Sequence, residues 1–111
     1  MPKFKQSFED YLKANYQGPY MATDLIIRHN DGKKEGIVLI ERKYFPHGLA
    51  LPGGMAERMS FDKNAVKEGK EETGLEFQVD DINCPLCVFS DVDQDPRAFV
   101  ASVTYTGIGL T

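Results

Sequence analysis

Leu49–Leu75, LALPGGMAERMSFDKNAVKEGKEETGL, decides how this chain is read. Side chains at i, i+3 and i+4 are neighbours on a helix, so Glu68, Glu71 and Glu72 share one face of a helix running from Phe61 to about Thr73. Ser60 is placed to cap that helix, Asp62 suits the positive end of its dipole, and Gly74 stops it. Phe61, Ala65 and Val66 fall on the core side. Gly53-Gly54 reads as a turn that brings bare backbone towards the acidic face. Three crowded carboxylates repel one another, and folding alone does not ask for them. A hard divalent cation such as Mg²⁺ would offset the repulsion, because it takes oxygen ligands and keeps waters and substrate phosphates in its shell. Read alone, KEGKEETG also fits a solvated helix face, since acid–base pairs such as Glu68 with Lys63 or Lys67 are ordinary. The Gly-Gly pair at that distance tips the reading towards a metal. Gly69, inside the helix, costs about 1 kcal/mol relative to Ala, which close approach of another backbone would explain.

Outward from this stretch, the chain alternates strands with little helix. Phe4 to about Tyr16 has helical spacing and ends at Gly18-Pro19. Thr23–Arg28 reads as a strand, Asn30-Asp31-Gly32 as a turn, and Gly36–Arg42 (GIVLIER) as a second, more buried strand. Lys43–Gly48 is a loop and Leu49–Leu51 a short strand. Leu75–Val79, Leu86–Ser90 and Ala98–Tyr105 complete the strand candidates, with Asp91–Arg97 (DVDQDPR) an acidic loop. That loop opens like a calcium-binding loop but has Pro96 at position six and Ser102 at position twelve, so it fails as one. Phe45, Phe89 and Phe99 are assigned to the core. Strands around one central helix point to an α+β layered domain.

The bulk numbers fit a single domain. The 111 residues are 41% hydrophobic and 27% charged, ordinary for a globular protein with one modest core. A net charge of -4 argues against a nucleic-acid surface. No apolar run approaches the roughly 20 residues of a membrane span. The N-terminus lacks the apolar core of a signal peptide, which makes the cytoplasm the default location. Cys84 and Cys87 form a lone CxxC with no second pair and distant histidines, and read as two reduced thiols.

With these residues in view, the chain resembles the Nudix hydrolases. Their signature is G-x5-E-x7-R-E-U-x-E-E-x-G-U, where U is bulky and apolar. Lys67–Leu75 (KEGKEETGL) matches its second half, with Lys for Arg and Gly for the first apolar position. Leu51-Pro52-Gly53-Gly54 and Glu57 match the approach to it. PYMATDLII, ERKYFPHGLALPGG and SDVDQDPRAFVASVTY extend the resemblance, towards the ADP-ribose pyrophosphatase branch, over most of the chain from about Pro19. The fold implied is a Nudix-type α/β/α sandwich with a mixed sheet: one domain over residues 1–111, with 1–18 an N-terminal extension. Relatives of this kind continue beyond the point where Gly109-Leu110-Thr111 closes this chain, so C-terminal elements are expected to be missing and a homodimer to cover the exposed layer.

The resemblance implies that Glu68, Glu71 and Glu72, with the Gly53 carbonyl, bind Mg²⁺ or Mn²⁺, and that these acids and Lys67 form the catalytic group. It assigns Asp24, Arg42, Glu57 and Arg97 to a nucleotide-type substrate. Glu68 is the helix candidate for general base, with Asp91, Asp93 and Asp95 as loop alternatives. The implied reaction is metal-dependent hydrolysis of the pyrophosphate in a nucleoside diphosphate derivative, ADP-ribose first, giving AMP and ribose 5-phosphate. A non-catalytic domain sensing such a nucleotide, or a pyrophosphatase cleansing the pool of nucleoside triphosphates, are the alternatives. One departure stands out. The segment between Gly54 and Lys67 is one residue short, so the signature Glu falls on Met59 or Ser60. In the family that Glu braces the signature Arg. With Lys67 in place of Arg and no acid at either position, the brace is expected to be lost and the site weakened.

Overall fold

Two long parallel strands organise the molecule, a computed structural model that describes residues 7–15 and 17–110. β1 (Tyr20–Asn30) and β8 (Val100–Gly109) pair from Tyr20↔Val100 to Arg28↔Ile108. Strands in parallel need a long crossover, and the chain between them carries the helix that covers the sheet. Shorter strands flank the pair. β5 (Gly53–Met55) and β2 (Glu35–Ile37) line successive parts of the outer edge of β1, while β7 (Cys87–Phe89) and β6 (Phe77–Val79) do the same for β8. All four are antiparallel to their neighbours, giving the mixed sheet expected. β3 (Ile40–Arg42) and β4 (Gly48–Ala50) form a separate two-stranded ribbon.

Successive strand residues face opposite sides, and here the two sides have different tasks. Leu25 and Ile27 of β1 with Val103 and Tyr105 of β8 meet Ala65 of α2 (Phe61–Thr73) and Phe77 of β6 in the buried core, and Phe61 and Val66 pack against it. Gly69 belongs to this contact. A Cβ there would lie 2.8 Å from Cζ of Phe77 and against the Leu25 side chain, so it is close approach of side chains, not of the backbone expected, that explains glycine in mid-helix. The opposite face, with Ala22 and Asp24 on β1 and Val100 and Ser102 on β8, borders a cavity.

Several local expectations change. GIVLIER is not one buried strand. β2 and β3 are distinct, β2 is fully exposed, and the chain leaves the main sheet after Val38, whose amide donates to the Ile27 carbonyl at 3.0 Å. Gly53-Gly54 is not a turn but the start of β5, paired with Asp24 and Thr23. The last strand starts later and runs further than Ala98–Tyr105. Ser60 occupies the cap position in extended conformation without a side-chain cap hydrogen bond, its carbonyl accepting from the Asn64 amide at 2.9 Å. Gly74 closes α2 as expected, left-handed at φ 68°. The first helix, α1, spans Phe8–Asn15; the rest of the stretch expected there, 4–6 and Tyr16, lies outside the described residues. Phe45 and Phe89 are not core residues: they are 60% and 48% exposed.

Candidate active site

β5 and α2 are joined at both ends of the strand, most closely at Gly53. The Gly53 amide donates to Glu72 Oε1 at 2.6 Å, tying the start of the strand to the end of the helix. Beside it, a Cβ on Gly54 would lie 2.8 Å from Cδ of Glu68, and one on Gly53 would collide with the Thr23 carbonyl and the Asp24 carboxylate. Only glycine lets this backbone pass between β1 and the acidic helix face.

Lys67 stands at the centre of the acids. Its Nζ lies 2.8 Å from Glu57 Oε2, 3.0 Å from Glu71 Oε1 and 3.7 Å from Glu68 Oε1. The expectation of a lost brace is therefore corrected: neither Met59 nor Ser60 supplies an acid, but Glu57 does, from within the shortened loop. The hydrogen bond that Lys67 donates to Glu57, then the one it donates to Glu71, pushes its ammonium well above the usual lysine range. Lys67 in turn holds the Glu57 carboxyl below its ordinary value. Glu68, with 18% of its side chain exposed, is moved the other way. Burial raises its carboxyl first, Lys67 opposes, and the charges of Glu71 and Glu57 add to the rise.

Asn64, which the sequence did not single out, holds this loop in place. Its buried Nδ2 donates to Thr23 Oγ1 at 2.8 Å and to the Met55 carbonyl at 3.4 Å, while its Oδ1 accepts from the Glu57 amide at 3.0 Å. A polar residue beside the core positions Phe61, Ala65 and Val66 was the available signal.

The three helix acids share a face but do not converge. Among the described residues, no three His, Cys, Asp or Glu side chains gather round a point that could hold a metal ion. Glu71 is turned to Lys67, Glu72 to the Gly53 amide, and Glu68 lies against Gly54. In kind the donors suit a hard divalent cation: carboxylates one helical turn apart, facing strand backbone, with no sulfur or imidazole among them.

Two cavities flank this face. One of about 350 Å³ lies between Ile40–Tyr44 and the pair Glu71 and Glu72. The other, about 420 Å³, is bordered by Asp24, Gly53, Gly54, Asp95, Arg97 and Ser102, and Arg42 lines both. Arg42 is oriented by its Nε donating to the Pro46 carbonyl at 2.7 Å. Arg97 grips Asp95 with two hydrogen bonds, 3.0 Å from Nε and 2.7 Å from an NH2 nitrogen, and holds its carboxyl at about 2. Burial raises the Asp24 carboxyl, a hydrogen bond with Ser102 opposes this, and the charge of Glu72 adds to it. Of the substrate residues expected, Asp24, Arg42 and Arg97 thus come together around one cavity, whereas Glu57 pairs with Lys67 and lines neither. Asp91, Asp93 and His47 are exposed, as are the free thiols Cys84 and Cys87.

Residues 19–106 match the NUDIX domain family, and the chain belongs to it. It is 39% identical over 93 residues to an ADP-ribose pyrophosphatase of Methanocaldococcus jannaschii, an alignment that covers 81% of this chain and 51% of that protein. Among solved structures it is similar to a MutT/nudix family protein from Enterococcus faecalis, with TM-score 0.73, 28% identity, and coverage of 92% of this chain and 44% of that one. It also resembles an ADP-ribose pyrophosphatase from Streptococcus suis, with TM-score 0.61, 25% identity, and coverage of 85% and 63%. The chain therefore spans about half the length of the curated relative it matches.

Proposed function

We propose that this domain hydrolyses the pyrophosphate bond of a nucleoside diphosphate derivative, ADP-ribose first, to AMP and ribose 5-phosphate, with Mg²⁺ or Mn²⁺ as cofactor. The observation that carries the reading is the contact of Glu72 with the Gly53 amide, because it joins the acidic helix face to the glycine strand across 19 positions of sequence. Glu68, Glu71, Glu72 and the Gly53 carbonyl would hold the cation. Bound there, it would supply charge neutralisation for the diphosphate and a water of lowered pKa. Arg42, which lines both cavities, and Lys43, which lines the first, bring positive charge beside the acids, where a diphosphate could lie with a group on either side. Glu68 is the best-placed proton acceptor, being shielded and, by burial first, raised above its ordinary value. Asp95 is a poor one, because Arg97 keeps it ionised.

The test is a hydrolysis screen with and without Mg²⁺ over ADP-ribose, NADH, diadenosine polyphosphates and nucleoside triphosphates. ADP-ribose should turn over best, and Glu71→Gln or Glu72→Gln should each reduce kcat by about 100-fold or more, equivalent to about 3 kcal/mol of transition-state stabilisation. Turnover indifferent to both substitutions would overturn the assignment. One observation favours a second reading, a domain that senses the nucleotide: among the described residues the acids do not gather for a metal, Glu71 being turned to Lys67. Tight nucleotide binding without turnover of any substrate would select it. A homodimer is supported by the apolar side chains exposed on the flanking strands β2 and β7, Ile37, Val88 and Phe89, and sedimentation would show it as twice the chain mass.

A further inference from the structure

We infer that Cys84 and Cys87 are half of a zinc site, completed by the same two cysteines of a second copy of this chain. This goes beyond the hydrolase reading and does not depend on it, since neither cysteine lines the cavities beside the acidic helix face. Cys84-Pro85-Leu86-Cys87 leads from the loop after β6 into β7, and its backbone is held on both sides of Pro85. The Cys84 amide donates to the Asp81 carbonyl at 3.2 Å, in a turn that the Asn83 amide tightens by donating to Asp81 Oδ1 at 2.8 Å. The Leu86 amide donates to the Thr104 carbonyl of β8 at 2.8 Å. Both cysteines are exposed and carry free thiols. The Cys87 thiol donates to the Val88 carbonyl at 3.6 Å, a weak contact that a thiolate gives up. Thiolates two residues apart on an anchored turn suit adjacent corners of a tetrahedron, the geometry Zn²⁺ takes with sulfur.

A structural zinc site is closed by four ligands. Among the described residues no third His, Cys, Asp or Glu joins the two thiols, so one chain supplies half of the set. The sheet edge says where the other half comes from. Among the described residues β7 has β8 as its only strand neighbour, which leaves the outer edge of Cys87–Phe89 open. Leu86, Val88 and Phe89 stand there with 60%, 53% and 48% of their surface exposed. Open strand edges of two identical chains meet about a two-fold axis. A tetrahedron contains the same axis, so two identical thiol pairs fill it with no ligand left over.

Co²⁺, which takes the same geometry and reports sulfur ligands in its absorption, is the probe. Whole chain, stripped with a chelator and kept reduced with a phosphine, should develop a sulfur-to-cobalt charge-transfer band and the visible bands of a tetrahedral ion. They should saturate at about one ion per two chains, as four ligands at two per chain require. Zn²⁺, the tighter binder, should bleach them. In sedimentation, Zn²⁺ should lower the dimer dissociation constant by about tenfold or more, because it binds the dimer alone, and Mg²⁺ should not. Cys84→Ser and Cys87→Ser should each abolish both effects, and Glu71→Gln/Glu72→Gln should keep both. No sulfur band in the wild type would overturn the inference, as would bands that survive in either serine variant. Saturation at one ion per chain without a dimer would overturn the shared site. Bands lost in the glutamine variant would place the ion on the helix acids and overturn it too. Hydrolysis is read separately, in the Mg²⁺ screen, and stands or falls by itself.

Discussion

Asn64 shows most clearly how one side chain sets the site. It ties Thr23 of β1, the Met55 carbonyl of β5 and the Glu57 amide to a single buried amide group. Asn64→Ala leaves those groups without partners and opens a small void, so unfolding free energy should fall by about 2–4 kcal/mol in a urea titration. Mn²⁺ affinity should fall with it, since Glu57 loses its anchor; stability lost without any change in metal binding would separate the two roles. Thr104 offers the opposite case. Its Oγ1 is buried without a hydrogen-bond partner among the described residues, so Thr104→Val should be neutral or stabilising by about 1 kcal/mol in the same measurement.

At the scale of elements, α2 is the part most legible in sequence. Its limits Phe61–Thr73, its left-handed glycine cap and its core positions follow from local spacing and are as expected. Gly69 separates helix propensity from packing. On propensity alone, Gly69→Ala should stabilise by about 1 kcal/mol. The structure reverses the sign, because the new methyl group meets Leu25 and the Phe77 ring, and crowding of that kind destabilises by about 1–3 kcal/mol. A lower melting temperature for Gly69→Ala is the expected result; a higher one would mean that α2 can move off the sheet. The strands were harder to read. GIVLIER is continuously apolar up to Glu41, but an apolar run does not say which neighbour each part pairs with. Its first half joins β1, and its second half joins β4 in a separate ribbon.

For the whole molecule, the Arg28–Asp80–Thr106 cluster ties β1, β8 and the end of β6. Arg28 donates to Asp80 at 2.8 and 3.0 Å, and the Thr106 hydroxyl donates to it at 2.6 Å. These bonds, Arg28's foremost, lower the Asp80 carboxyl from its ordinary 3.8 to about 2. A carboxyl lowered on folding stabilises the native state above its unfolded value, and that contribution is lost as pH falls through the folded value. Wild type should therefore melt above Asp80→Asn by a steady margin at pH values above 3.8, and the two should converge as pH falls to about 2. A margin unchanged across that range would show that the cluster does not titrate with folding.

The acidic helix with its glycine cap, the mixed α+β character and the family signature could be read from the residues alone, because each is written in spacings of a few residues along one element. That reading placed Gly53-Gly54 near the acids but mistook a paired strand for a turn, and it judged the brace behind Lys67 lost. It took the folded chain to reveal that Glu57 meets Lys67, that Glu72 meets the Gly53 amide, and that Asp24, Arg42 and Arg97 border one cavity. The physical reason is that periodicity fixes which face a side chain occupies. Which partner it finds there depends on how β1 and β8 bring distant segments together, and on the loop between β5 and α2 that carries Glu57 to Lys67.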